Sequence, residues 1–159
     1  MVSYDFFLNA SQNFLNSYQE AEGDDKNYYI FASILFSWTA LESYTNMRSE
    51  RLSHGDIIKP HEKAFLLEKE LKVGDDGQFG EIDIHPATSK KIVFLIAHFS
   101  KVKVNTFKNK FWRDMRDFED LRNRIVHHKE ENLQAVNINR AIKYKNFAFD
   151  LIDYLNKKI

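Results

Sequence analysis

The chain contains no cysteine, which excludes disulfides and thiolate-ligated metal centres. Proline occurs twice and glycine five times in 159 residues. So few turn formers argue against a sandwich of many short strands and for a helical protein. No apolar run approaches the roughly 20 residues that a bilayer-spanning helix needs. The first residues, MVSYDFFLNASQ, also lack the basic segment and apolar stretch of a secretion signal. A cytoplasmic protein with no membrane partner is therefore expected. An excess of charge is missing too, because 23 Lys and Arg balance 23 Asp and Glu. Whole-molecule electrostatics thus gives no reason to expect a nucleic-acid partner.

What is present is apolar bulk and helical periodicity. Hydrophobic residues make up 43% of the chain, with fourteen Phe, seven Tyr and two Trp, enough to fill the core of one domain spanning residues 1–159. Tyr4, Phe7, Leu8, Ser11, Phe14, Leu15 and Tyr18 follow the helical period and predict a first helix ending near Gly23. Asp24 and Asp25 offer a cap for a second. From Tyr28 to Tyr44 apolar residues fall on nearly every face, as in a helix surrounded by others, and the polar continuation to Arg51 is expected in solvent. Pro60 suits the first turn of a third helix running to about Leu71. Three glycines, a proline and the alternation Ile82-Asp83-Ile84 predict a short hairpin or ordered loop near residues 73–86. Thr88 or Ser89 can cap a buried fourth helix. A fifth, after Asn105, carries Phe107, Phe111, Met115, Phe118, Leu121 and Ile125 on one face. A sixth carries Ile138, Ile142, Phe149, Ile152 and Leu155. The expected architecture is an all-α bundle of six helices.

One residue interrupts this pattern. At 100° per residue Arg122 projects beside Phe118, Met115 and Phe111, inside the apolar stripe. A guanidinium removed from water needs a carboxylate to receive it. Glu42, which follows Phe31, Leu35 and Trp38 on the central helix, is the expected partner. Such a pair can serve simply to fix helix register. His127 lies about 140° from Arg122 around a straight helix, because five residues correspond to about 500° of rotation. Either the helix breaks after Val126 or a second chain completes a site. Asn123, four residues before His127, shares its face and can orient the ring or contact the same ligand.

Arg122-Asn123-Arg124-Ile125-Val126-His127 resembles the Arg-x4-His motif, written R-N-x-x-x-H, of the HEPN (higher eukaryotes and prokaryotes nucleotide-binding) domain family. The likeness extends to the helical order and, loosely, to the LESYTN segment that contains Glu42. It implies a HEPN-like helical bundle and a metal-independent endoribonuclease, often a toxin or antiviral effector. Motifs from two protomers of a homodimer would line one cleft, and a nucleotidyltransferase-like antitoxin is a common partner. The segment DDGQFGEIDIH departs from the minimal bundle of that family.

The chemistry is consistent with those residue types. RNA carries its own nucleophile, the 2′-hydroxyl, and a histidine can accept its proton or protonate the departing 5′-oxygen, with no cofactor or metal required. An arginine can stabilise charge developing on the phosphoryl oxygens. His127 is therefore expected to move protons, Arg122 to stabilise the phosphate, and Asn123 to orient histidine or phosphate. Arg124, His128 and Lys129 are candidates for backbone contacts within Lys101 to Lys129, where nine bases face four acids. The competing expectation is a non-catalytic RNA-binding or protein-assembly module, with Arg122 as an internal tie and His127 as a surface residue. His54 and His61 lack carboxylates at metal-ligand spacing. Asp75-Asp76-Gly77 reads as a turn rather than a calcium loop, and GDDGQFGE lacks the lysine and hydroxyl of a Walker loop.

Overall fold

Ser3 starts the chain's first helix: its side-chain oxygen accepts the Asp5 N–H at 3.3 Å, and Asp5 adds negative charge to the first turn. The computed structural model describes residues 3–23, 25–55, 57–100, 110–127 and 136–158. Helix α1 (Tyr4–Glu20) ends before a turn in which Gly23 takes φ +57°, a left-handed conformation natural to glycine. Helix α2 (Asp25–Ser53) follows. It buries Ile30, Ile34, Trp38, Leu41 and Tyr44 together with Ala32 and Ala40, the many-sided burial of a central helix. Its polar continuation reaches solvent on one side, at Asn46, Glu50 and Arg51. Thr45, Ser49 and Ser53 are buried because the last turns pack on other elements along one face.

α1 approaches α2 across a seam of small hydroxyl residues. Ser11 Oγ lies 2.9 Å from Ser33 Oγ and 2.7 Å from Ser37 Oγ, with all three residues buried. Mutual hydrogen bonding offsets the cost of removing these hydroxyls from water.

Helix α3 (Pro60–Leu66) is shorter than expected. The chain leaves it through Glu68, whose φ of +59° cannot continue a right-handed helix, and Leu71 lies in a strand. Strands β1 (Lys69–Val73) and β2 (Phe79–Asp83) pair antiparallel, with Lys69 opposite Asp83 and Val73 opposite Phe79. The expected hairpin is therefore present, but its first strand begins before residue 73. Asp75, Asp76 and Gly77 form its turn, with Gly77 at φ +75° and Asp76 Oδ1 accepting the Gln78 N–H.

Helices α4 (Thr88–Ser100), α5 (Lys110–Val126) and α6 (Ile138–Lys158) complete six helices among the described residues, alongside the one hairpin. The fold is predominantly helical, as expected. Phe107 lies outside the described residues. The remaining α5 stripe is in the core: Met115, Phe118, Leu121 and Ile125 are buried and Phe111 packs against them. Phe118 joins three helices. It meets Trp38 of α2 edge to face at 5.1 Å and stacks on Tyr144 of α6 at 4.4 Å.

Of the expected α6 stripe, Ile152 and Leu155 are buried and Ile138 packs against the core. Ile142 and Phe149 are exposed, whereas Ala141, Tyr144, Ala148, Leu151, Ile152 and Leu155 are buried. Ala141 and Ala148 are fully buried and let α6 pack closely on α2, while the bulkier Ile142 and Phe149 remain exposed. No described helix is long and apolar enough to cross a membrane.

The hairpin is fastened to the bundle by a buried cation. Lys91 on α4 is only 3% exposed, and its Nζ donates to Glu68 Oε1 at 2.5 Å and to Asn46 Oδ1 of α2 at 3.0 Å. The hydrogen bond from Lys91 holds the Glu68 carboxyl below the usual glutamate range; partial burial opposes this, while the Lys91 charge and nearby His85 reinforce it. A lowered folded-state value means that Glu68 contributes stability above its unfolded value of about 4.3, and that this contribution disappears as pH falls through the folded value. Glu68→Gln is thus expected to destabilise by about 2 kcal/mol at pH 7, discounted for the part-exposed carboxylate. The gap from the unmodified protein should close as pH falls below the ordinary glutamate value. Urea unfolding across pH measures it, and a constant gap would remove the ionic account of this tie.

Candidate functional site

The candidate site is built where α2, α4 and α5 meet. Arg122 Nη2 lies 3.6 Å from Glu42 Oε1, so the carboxylate expected opposite the guanidinium is present. Side-chain exposures of 30% for Arg122 and 33% for Glu42 leave both partly accessible to a ligand. The same Glu42 oxygen accepts a 2.8 Å hydrogen bond from Trp38 Nε1, one helical turn earlier, and a 3.4 Å bond from Thr88 Oγ1. Glu42 is therefore held by three donors from three helices. At 3.6 Å the Arg122 contact is electrostatic attraction rather than a well-made hydrogen bond.

Thr88 and Ser89 correct another expectation. The first turn of α4 is anchored by the Ala87 carbonyl, which accepts the N–H groups of Lys90 and Lys91. The two hydroxyls reach sideways instead: Thr88 donates to Glu42, and Ser89 donates to Glu119 Oε2 of α5 at 2.7 Å. Each is more useful as a link between helices than as a cap, because part-buried carboxylates stand opposite.

Within the motif, Arg122 Nη1 donates to Asn123 Oδ1 at 3.1 Å. Asn123 thus orients the arginine. Among the described residues it makes no side-chain hydrogen bond to His127, contrary to one of its two expected roles. α5 ends at Val126, but the His127 N–H still donates to the Asn123 carbonyl at 3.0 Å. That i to i−4 bond keeps His127 on the helical path, about 140° around from Arg122. The exposed imidazole and the guanidinium therefore face different directions in one chain, so the end of the helix does not bring them together. Arg124 Nε makes a long 3.4 Å bond to the Asp120 carbonyl. His128 and Lys129 lie outside the described residues, as does much of the basic segment.

Comparison with family models, curated proteins and solved structures finds no match for this chain. The site must accordingly be read from its own residues. Sequence patterning missed Trp38, Thr88, Ser89 and Glu119 as members of the polar junction. The available signal was weak: a tryptophan needs a hydrogen-bond acceptor when buried, and Glu42 is one turn away. Neither hydroxyl could be assigned to a carboxylate before the helices were docked. Among the described residues, no group of three His, Asp or Glu side chains converges as a metal cluster would.

Removing the Glu42 carboxylate strands the Trp38 donor and takes the opposite charge away from half-buried Arg122. Glu42→Ala should cost about 2–3 kcal/mol in urea unfolding. Glu42→Gln, which keeps an oxygen for Trp38, should cost less than half as much. Equal losses for the two variants would show that the acceptor kept for Trp38 contributes nothing.

Proposed function

We propose that the chain is a metal-independent endoribonuclease that cleaves RNA through the substrate's 2′-hydroxyl and acts as a homodimer. The observation that carries this reading is the state of Arg122: half-buried, oriented by Asn123, and only loosely paired with Glu42, while His127 stands exposed at the end of the same helix. An arginine serving only as a core tie gains most from a close, bidentate carboxylate. Here the carboxylate oxygen is shared with Trp38 and Thr88. The guanidinium is partly exposed and its planar set of donors is suited to a phosphate.

In the proposed reaction a histidine accepts the proton of the 2′-hydroxyl, whose oxygen attacks the adjacent phosphorus. The bond to the 5′-oxygen breaks, and that oxygen takes a proton from a second acid. The products are a 2′,3′-cyclic phosphate and a free 5′-hydroxyl. Arg122 offsets the charge that develops on the non-bridging oxygens. The angular separation of Arg122 and His127 makes one chain insufficient, since both must reach one phosphate. A second copy would supply the complementary imidazole, giving one base and one acid. On this reading the protein acts as a toxin or antiviral effector, with a nucleotidyltransferase-like antitoxin as a candidate partner.

The test is cleavage of labelled single-stranded RNA in the presence of chelator. His127→Ala should lower kcat by at least about a hundredfold, the scale of a lost general acid or base. Its unfolding midpoint should stay unchanged, because the side chain is exposed. Arg122→Lys should fold yet lose a similar factor, since an ammonium cannot present the planar donor set. Salt-dependent RNA binding without cleavage would replace this reading with that of a binding module.

A further inference from the structure

An open groove of about 880 Å³ lies between α3, α4 and α5. Half-buried Phe65 and Phe94 supply apolar lining over a floor of buried Trp112 and Met115, and Lys90 and Arg116 are among its charged residues. We infer that this groove is a base-binding subsite that receives one unpaired nucleobase bearing an exocyclic amine, next to the scissile phosphate of a single-stranded RNA. The inference rests on the endoribonuclease reading of Arg122, Asn123 and His127.

Continuity along α5 points to that occupant. The helix contributes Trp112, Met115, Arg116, Glu119 and Asp120 to the groove, positions that share one side of the helix. Asn123 lies seven residues after Arg116, and His127 seven after Asp120. Seven residues fall short of two helical turns by about 20°, so both motif residues extend the groove side of α5. Arg122 lies at the edge of this side, beside Met115. A chain whose phosphate meets Asn123 and His127 therefore has the groove as the next space along the helix.

The chemistry of the groove suits a base better than a second phosphate, and its volume leaves room for the attached sugar. Its volume lies in the range of small-ligand pockets, and its aromatic side chains offer surfaces against which any base can pack. Three carboxylates also line it: Glu62, Glu119 and Asp120. They would repel phosphate but accept N–H groups from the edge of adenine, cytosine or guanine. Guanine presents two adjacent donors to one carboxylate. Two of these acids are oriented in advance, Glu62 Oε2 by the Lys59 N–H at 2.9 Å and Glu119 Oε2 by Ser89 at 2.7 Å. Uracil, with no exocyclic amine, fits less well.

Photocrosslinking and kinetics test the inference together. A short single-stranded RNA carrying 6-thioguanosine, with every 2′-hydroxyl methylated so that it cannot be cut, should crosslink within residues 61–65, 87–94 or 112–120 of the unmodified protein. Ala87→Trp, which fills the groove from its exposed lip, should abolish that crosslink. It should also raise KM for cleavable RNA about tenfold, the loss of one stacked base, while kcat is retained. Substrates limited to uridine should show the high KM already and gain nothing further from the substitution. Cleavage with no groove crosslink and no effect of Ala87→Trp would overturn the base subsite and leave the nuclease reading standing. A groove crosslink without cleavage of any RNA would overturn the nuclease reading and the placement beside a scissile phosphate, leaving a base site on an RNA-binding module. Failure of both crosslinking and cleavage would overturn both, as expected if the groove receives a protein segment instead.

Discussion

The half-buried carboxylate of Glu42 is the point on which the arrangement of the site depends. A carboxylate partly withdrawn from water requires donors, and here they come from Trp38 on its own helix, Thr88 on α4 and Arg122 on α5. Satisfying one oxygen therefore fixes the mutual position of three helices. It also sets the direction of the guanidinium, which Asn123 steadies from the other side. A few ångströms away, Ser89 repeats the device with Glu119. The two hydroxyls that begin α4 thus tie it to both of the helices that bear charged motif residues.

The apolar core gives this polar junction a firm backing. Phe118 is fully buried between Trp38 and Tyr144, one helical turn before Arg122. A stacked ring on one side and an edge-on indole on the other restrict how α5 can rotate, and hence where Arg122 and Asn123 point. His127 sits at the end of the same rigid helix but faces away from Arg122. The rigidity of this helix keeps the two side chains on different faces of one chain.

The hairpin belongs to the bundle through Lys91, Glu68 and Asn46 rather than through an apolar face. Val73 and Phe79, paired at the turn end of the ladder, are both exposed. Sequence patterning could anticipate the hairpin from its glycines and alternation, but it extended the preceding helix to Leu71. Leu66, Leu67 and Leu71 have helical spacing, and nothing local signals that Glu68 turns left-handed to face a buried lysine. The α6 error has a similar origin. Ile142 and Phe149 are more hydrophobic than Ala141 and Ala148, yet close packing against α2 selects the smaller residues for the inside at those turns.

The helical class, the central position of α2, the α5 core stripe and the pairing of Glu42 with Arg122 were all legible in the residues alone. Each follows from local periodicity, or from the requirement that a charge within an apolar stripe find its opposite. Docking of the helices decided the rest: the side chains that share Glu42, the lysine that secures the hairpin, and the groove that leads along α5 to the motif. Those features depend on which residues from distant segments come within hydrogen-bonding distance, and no one-dimensional period encodes that distance.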